Sequence, residues 1–189
     1  MDRQKSSIYA KLDEDALNLR IDYGFFDDYV DVFELAEYLG MKLIPYSTIT
    51  EKQWASMTDI DIKDGFTVIQ KSNGEQKYYT YYNDTLPHRR QRFTIAHEIK
   101  HVVYGEEEFD EGNEALADHF ARVLLAPPCL VMFMIQNHNV LEISDCFDMS
   151  ESATENAIKA ANNRIKAKGM ELNQYEVDYI DCRNLHKNL

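Results

Sequence analysis

With 189 residues, 44% of them hydrophobic and 28% charged, the chain matches the size and composition of one globular domain with at most a small appendage. A net charge of −13 argues against nucleic acid as a partner, because that binding draws on neutralised phosphates. Three widely spaced cysteines, Cys129, Cys146 and Cys182, form no Cys-x-x-Cys pair and read as reduced thiols rather than a disulfide framework.

Met1 to Ala10 is polar and lacks the apolar run of a secretory signal. Ile8, Leu12, Ala16 and Leu19 recur at helical spacing, so residues 6–21 are expected to form an amphipathic helix. Asp28 or Asp31 suits the cap of a second helix carrying Val32, Leu35, Ala36 and Leu39, stopped by Gly40. Met41 to Tyr46 reads as a short strand, and Thr50 with Gln53 as a capping box opening a short helix. Gly65–Gln70 and Lys77–Asn83 form an expected hairpin around Ser72-Asn73-Gly74, its second strand ended by Pro87. The second strand is also the expected exposed edge, where a substrate would add as a further strand.

From Arg89 to Tyr104 the pattern turns helical, with Phe93, Ala96, Ile99 and Val103 on one side. An acidic loop follows between Gly105 and Gly112, then a helix capped by Asn113 and terminated by Pro127. The apolar run Leu124–Ile135, broken by Pro127 and Pro128, is too short to span a bilayer, so a cytoplasmic protein is expected. Ser150 caps a helix to Lys168 closed by Gly169, and Gln174–Leu185 forms another. The fold class is α+β: a small mixed or antiparallel sheet on a helical core. Residues 1–136 are the expected functional domain, and 137–189 a helical extension with helix-turn-helix character.

The chemistry concentrates in His97-Glu98-Ile99-Lys100-His101. Four residues advance a helix by about 400°, so His97 and His101 share one face, one turn apart. Two imidazoles so placed can meet a single zinc at about 2.0–2.1 Å each. Glu98, about 100° round the helix, suits a base acting on the water at the metal's open position. A catalytic zinc takes a third protein ligand, and Glu114 on the following helix fits. Asp118, one turn on, suits the hydrogen bond that fixes a ligating imidazole. His119 points about 100° away from Asp118, and His88, His138 and His186 have no partner at ligand spacing.

These residues bring a family into view. Arg92-Phe-Thr-Ile-Ala-His-Glu-Ile-Lys-His101, followed by Glu114-Ala-Leu-Ala-Asp-His-Phe-Ala-Arg-Val-Leu-Leu-Ala-Pro127, resembles the ImmA/IrrE zinc metallo-endopeptidases. The likeness covers about residues 30 to 130 and includes the helix ending at Gly40 and the Tyr-Tyr-Asn strand. It implies zinc on His97, His101 and Glu114, with Glu98 as general base. It also implies a protein substrate, a basic helix-turn-helix repressor of a mobile element or stress regulon, cleaved to relieve repression. One departure stands out: Lys100 occupies a position where such sequences carry a small residue, often Gly.

Two rival readings belong to other classes. The chain could be a non-catalytic zinc-containing module that sequesters a repressor, although no Cys or His stands where a closed site would need a fourth ligand. Alternatively Lys159, Arg164, Lys166 and Lys168 could form a DNA-contacting stripe, a pattern more common as a solvated face.

Overall fold

The computed structural model describes residues 3–55, 64–72, 74–105 and 111–188. Along the chain run α1 (Arg3–Asp22), α2 (Val32–Tyr38), β1 (Met41–Pro45), a 3-10 turn (Tyr46–Thr48), α3 (Glu51–Ala55), β2 (Gly65–Ser72) and β3 (Glu75–Tyr82). Then follow α4 (His88–Tyr104), α5 (Glu111–Leu125), α6 (Pro128–Met134), α7 (Val140–Phe147), α8 (Glu151–Lys168) and α9 (Gln174–Lys187). Helices and a small mixed sheet make the architecture α+β, as the sequence predicts. The chain divides into two compact units, Val32–Ala117 and Met1–Asp31 with Asp118–Leu189.

The Val32–Ala117 unit holds the whole sheet. Its strand order is β1-β3-β2, with β1 parallel to β3 and β2 antiparallel to it. β3 is therefore the central strand, and the expectation that Lys77–Asn83 forms an open edge is wrong. The reason is the long-range pairing of Met41 with Tyr78 through Pro45 with Tyr82, which covers the far side of β3. The hairpin register pairs Ser72 with Glu75, and Gly74 takes φ +82, a left-handed conformation that suits glycine. Asn73, part of the expected turn, lies outside the described residues.

α4 packs on β2, β3 and α2. Its buried residues are Arg92, Thr94, Ile95, Ala96, Glu98, Ile99, Lys100 and Val102, while Val103 is 39% exposed. Ala96 and Ile99 of the expected stripe are thus on the inner face, whereas Phe93 is half-buried and Val103 lies outside it. Burial over so wide an arc encloses polar side chains, so hydrophobicity no longer marks the inner face. Gly65 allows a close approach: a β-carbon there would lie 2.5 Å from Thr94 Cγ2.

In the other unit, α1 packs on α9, and α6 and α7 pack on α8. Arg20, fully buried, donates to the carbonyls of Phe25 (3.2 Å), Leu124 (2.9 Å) and Asp27. Arg183 donates to the Phe26 carbonyl and the Asp28 carboxylate, both at 2.7 Å. These two cations gather the segment after α1 by satisfying its backbone carbonyls. α6 escapes the sequence reading because an apolar run that short has no resolvable period, although Pro128 at its first turn is a fitting start. α5 begins at Glu111, so Asn113 sits inside it and does not cap it.

Candidate metal centre

Local sequence sets up the site from both sides. α4 stops at Gly105, whose φ of +65 lets its N–H reach the carbonyls of His101 and Val102, ending the helix one turn past His101. Residues 106–110, most of the expected acidic loop, lie outside the described residues. α5 then begins at Glu111 and carries Glu114 in its first turn.

His97 Nε2 and His101 Nε2 face each other at 3.3 Å. Glu114 meets both: one carboxylate oxygen lies 3.4 Å from His97 Nε2 and the other 3.4 Å from His101 Nε2. Their side chains keep 14%, 13% and 24% of their exposure, so the cluster is enclosed yet reachable. Among the described residues this is the one group of three or more such side chains able to share an ion, its ligand atoms all within 4.8 Å of one another.

Those separations test whether a metal fits. Donors about 2.0–2.1 Å from a tetrahedral centre must lie about 3.3–3.4 Å apart, the edge of that tetrahedron. The His97–His101 spacing of 3.3 Å has that size, and each imidazole nitrogen lies 3.4 Å from a different oxygen of the Glu114 carboxylate. A hydrogen bond between two ring nitrogens would need one to carry the proton and the other to accept it. A shared divalent ion uses all three donors at once. Two nitrogens and a carboxylate also form the donor set that suits zinc, and three protein ligands leave a position open.

Glu98, 6% exposed, projects round the helix from His97. Asp118 is one turn beyond Glu114 on α5, with an exposed side chain, and begins the other unit's part of that helix. His119 Nε2 pairs with Asp13 at 2.6 Å, and Tyr9 meets its ring edge-on at 4.7 Å. Lys100 is 1% exposed, its ammonium 5.5 Å from the centre of the Tyr104 ring. The bulky cation is thus taken into the interior whole, with a cation–π contact to Tyr104.

Tyr46 escaped the sequence reading. It ends the expected strand, but Pro45 breaks that strand and starts a 3-10 turn instead. Its phenol is pushed up to about 12 by burial first, then by the Glu98 and Asp64 carboxylates.

A comparison with protein families matches residues 58–158 to Peptidase_M78, the IrrE N-terminal-like domain. That is more than half of the chain, and it contains His97, Glu98, His101 and Glu114. The chain belongs to the Peptidase_M78 family. It is accordingly a metallopeptidase-type domain with a protein substrate, and the family implies a metal. The Peptidase_M78 match runs further toward the C-terminus than the motif resemblance, through α7 into α8, and begins after β1 and Tyr46. No curated protein matches the chain. Among the described residues, no single helix is long and apolar enough to cross a membrane.

Proposed function

We propose that this protein is a zinc endopeptidase, in which His97, His101 and Glu114 hold the metal and Glu98 moves the proton. Residues 1–136 would form the peptidase domain and 137–189 its helical extension. The observation that carries the reading is the convergence of two imidazole nitrogens, 3.3 Å apart, on the Glu114 carboxylate, which sets one oxygen 3.4 Å from each.

Zinc in that position supplies a lowered water pKa and polarises the carbonyl of the bond to be cut. The remaining steps belong to side chains. Glu98 accepts a proton from the attacking water as the new carbon–oxygen bond forms. It then delivers that proton to the nitrogen as the carbon–nitrogen bond breaks, releasing a neutral amine. Asp118 would accept a hydrogen bond from a ligating imidazole and hold its orientation.

The substrate proposed is a basic helix-turn-helix repressor of a mobile element or stress regulon. Two things support it: the motif resemblance, and a net charge of −13 that favours a basic partner. An extended segment of that substrate would pair along β2, an outer strand of the sheet. β2 suits the task because Gly65 touches Thr94, one turn before Glu98 on α4.

The test is cleavage of basic helix-turn-helix repressors by wild type and Glu98→Gln, with and without a chelator. Expected are chelator-sensitive cleavage by wild type and none by Glu98→Gln, which still binds zinc. Tight repressor binding without any proteolysis would favour a sequestering module instead.

A further inference from the structure

A peptide that adds to a sheet needs an outer strand with backbone groups turned outward, and the side chains beside it select what the peptide carries. β2 has the first property by its register. The Asn83 N–H donates to the Asp64 carbonyl at 2.8 Å, so the pair just before Gly65–Tyr82 is a bonded one. Bonded and non-bonded pairs alternate along an antiparallel ladder. Phe66 and Val68 therefore aim their backbone groups at Tyr81 and Tyr79, while Gly65, Thr67 and Ile69 turn theirs away from β3. Among the described residues nothing pairs with these three on that side, where the sheet ends. Exposed edges are commonly blunted by charge or proline. Gly65-Phe-Thr-Val-Ile69 has neither.

The two faces of β2 differ. Gly65 meets Thr94 of α4, and on the same face the Thr67 hydroxyl bonds that of buried Thr80 at 2.8 Å. Phe66 and Val68 alternate to the opposite face. There the register builds two rows of side chains across the sheet. One runs Ile44, Tyr81, Phe66, with the Phe66 ring stacked on Tyr81 at 4.9 Å and 16°. The other runs Lys42, Tyr79, Val68, with the Lys42 ammonium 5.9 Å from the centre of the Tyr79 ring. Each row stops at the outer edge, on half-buried Phe66 and on Val68, which is 41% exposed.

The start of β2 is also its end nearest the catalytic helix. Thr94, which Gly65 abuts, lies one turn before Glu98 on α4, and Arg90, one turn earlier still, pairs with Asp64. A strand laid along Gly65–Ile69 would therefore run up to the metal-ligand candidates. It would also continue both side-chain rows, with two of its own side chains separated by one residue.

We infer that Phe66 and Val68 determine substrate specificity, by taking two apolar side chains of the substrate strand, one residue apart, as the outer members of their rows. The inference rests on the endopeptidase reading above. The backbone of Gly65, Thr67 and Ile69 holds the strand whatever its sequence, and the two rows choose among sequences. Cross-strand pairing favours aromatic and β-branched partners beside Phe66 and Val68. A segment recognised in this way is extended when it binds, so the cut falls in a linker or strand of the protein substrate and not within an intact helix.

The test uses the full zinc-loaded chain and a proteome-derived peptide library. Wild type should enrich aromatic or β-branched residues at two positions with one residue between them. Val68→Glu should move one of these preferences to Lys and Arg, and Val68→Lys should move the same one to Asp and Glu. The other position and the zinc content should stay as in wild type. For a single matched peptide the change should be about two- to fivefold in KM, with kcat within about twofold. Identical cleavage profiles in wild type and both charge variants would overturn the role of β2 and leave the endopeptidase standing. Absence of cleavage by wild type would overturn both. If the variants fold poorly, N-methylation along a cleaved peptide, read with wild type, takes their place. It should raise KM at alternate residues only, because every second amide of an added strand bonds to β2. Equal tolerance at every position overturns the inference.

Discussion

Gly65 and Thr94 mark a tight approach between the sheet and the helix that carries the metal-ligand candidates. A β-carbon at Gly65 would lie 2.5 Å from Thr94 Cγ2 and 2.8 Å from the Tyr81 carbonyl oxygen. The first neighbour is a side-chain methyl, but the second is backbone in the central strand and cannot move aside alone. Gly65→Ala is expected to cost about 1–3 kcal/mol as an overpacked site. Urea unfolding measures it, and zinc affinity should fall in parallel because α4 must shift with His97 and His101. A stability equal to wild type would show that this contact does not set the helix position.

The Arg164–Glu176 pair makes a second, independent case. Glu176 is 1% exposed and accepts from Arg164 through both oxygens at 2.5 Å, and from the Asn173 N–H at 2.8 Å. Removing the cation strands a carboxylate in the interior, with an expected loss of about 3–5 kcal/mol for Arg164→Leu. Replacing both members, as Arg164→Leu with Glu176→Gln, should recover part of that loss in the same urea experiment. The same measurement bears on the rival DNA stripe, since Arg164 is committed to this pair.

Alkaline titration tests the setting of Tyr46. Its ordinary value near 10 is raised to about 12, so the folded state holds this proton more tightly than the unfolded chain. The stabilisation is therefore complete below pH 10 and is lost as pH rises through about 12. Tyr46→Phe should lose its share of this alkaline sensitivity. In the phenolate absorbance difference, wild type minus variant, the missing phenol should titrate above the ordinary range. A difference centred at the ordinary value would contradict the packing of Tyr46 against Trp54 and Phe66.

At the acid end, Asp84 offers a smaller handle on the same turn. Hydrogen bonds from the Ser47 hydroxyl, and then its N–H, hold this carboxyl below the usual range. Their contribution is present above the unfolded carboxylate pKa and lost as pH falls through the lowered one. Ser47→Ala should raise the Asp84 pKa, read by carboxyl-carbon NMR, and loosen the Tyr46 turn.

Much of this site was legible because its chemistry is local. His97, Glu98 and His101 lie within one helical turn and a third, so spacing alone sets their relation. Glu114 was reachable too, since only one loop separates it from α4. What sequence hid were relations made by distant pairing. β3 lies centrally only because Met41–Pro45 pairs with it in parallel, which no pattern in either segment announces. Tyr46 meets Trp54 and Phe66 through that same long-range packing. The inner face of α4 was legible only in part, at Ala96 and Ile99, because Arg92, Thr94, Glu98 and Lys100 are buried polar residues, which a hydrophobic period reads as outward. α6 was missed because two prolines inside an apolar run mark a break without saying that a helix resumes after it.

The most direct test of the account is zinc binding by the purified chain, its stoichiometry measured by dialysis and its ligands by X-ray absorption. A single zinc should bind through two imidazoles and carboxylate oxygen, and His97→Ala or Glu114→Ala should release it while leaving the fold intact. A folded wild-type chain that retains no zinc, or one whose zinc survives His97→Ala, would contradict the account.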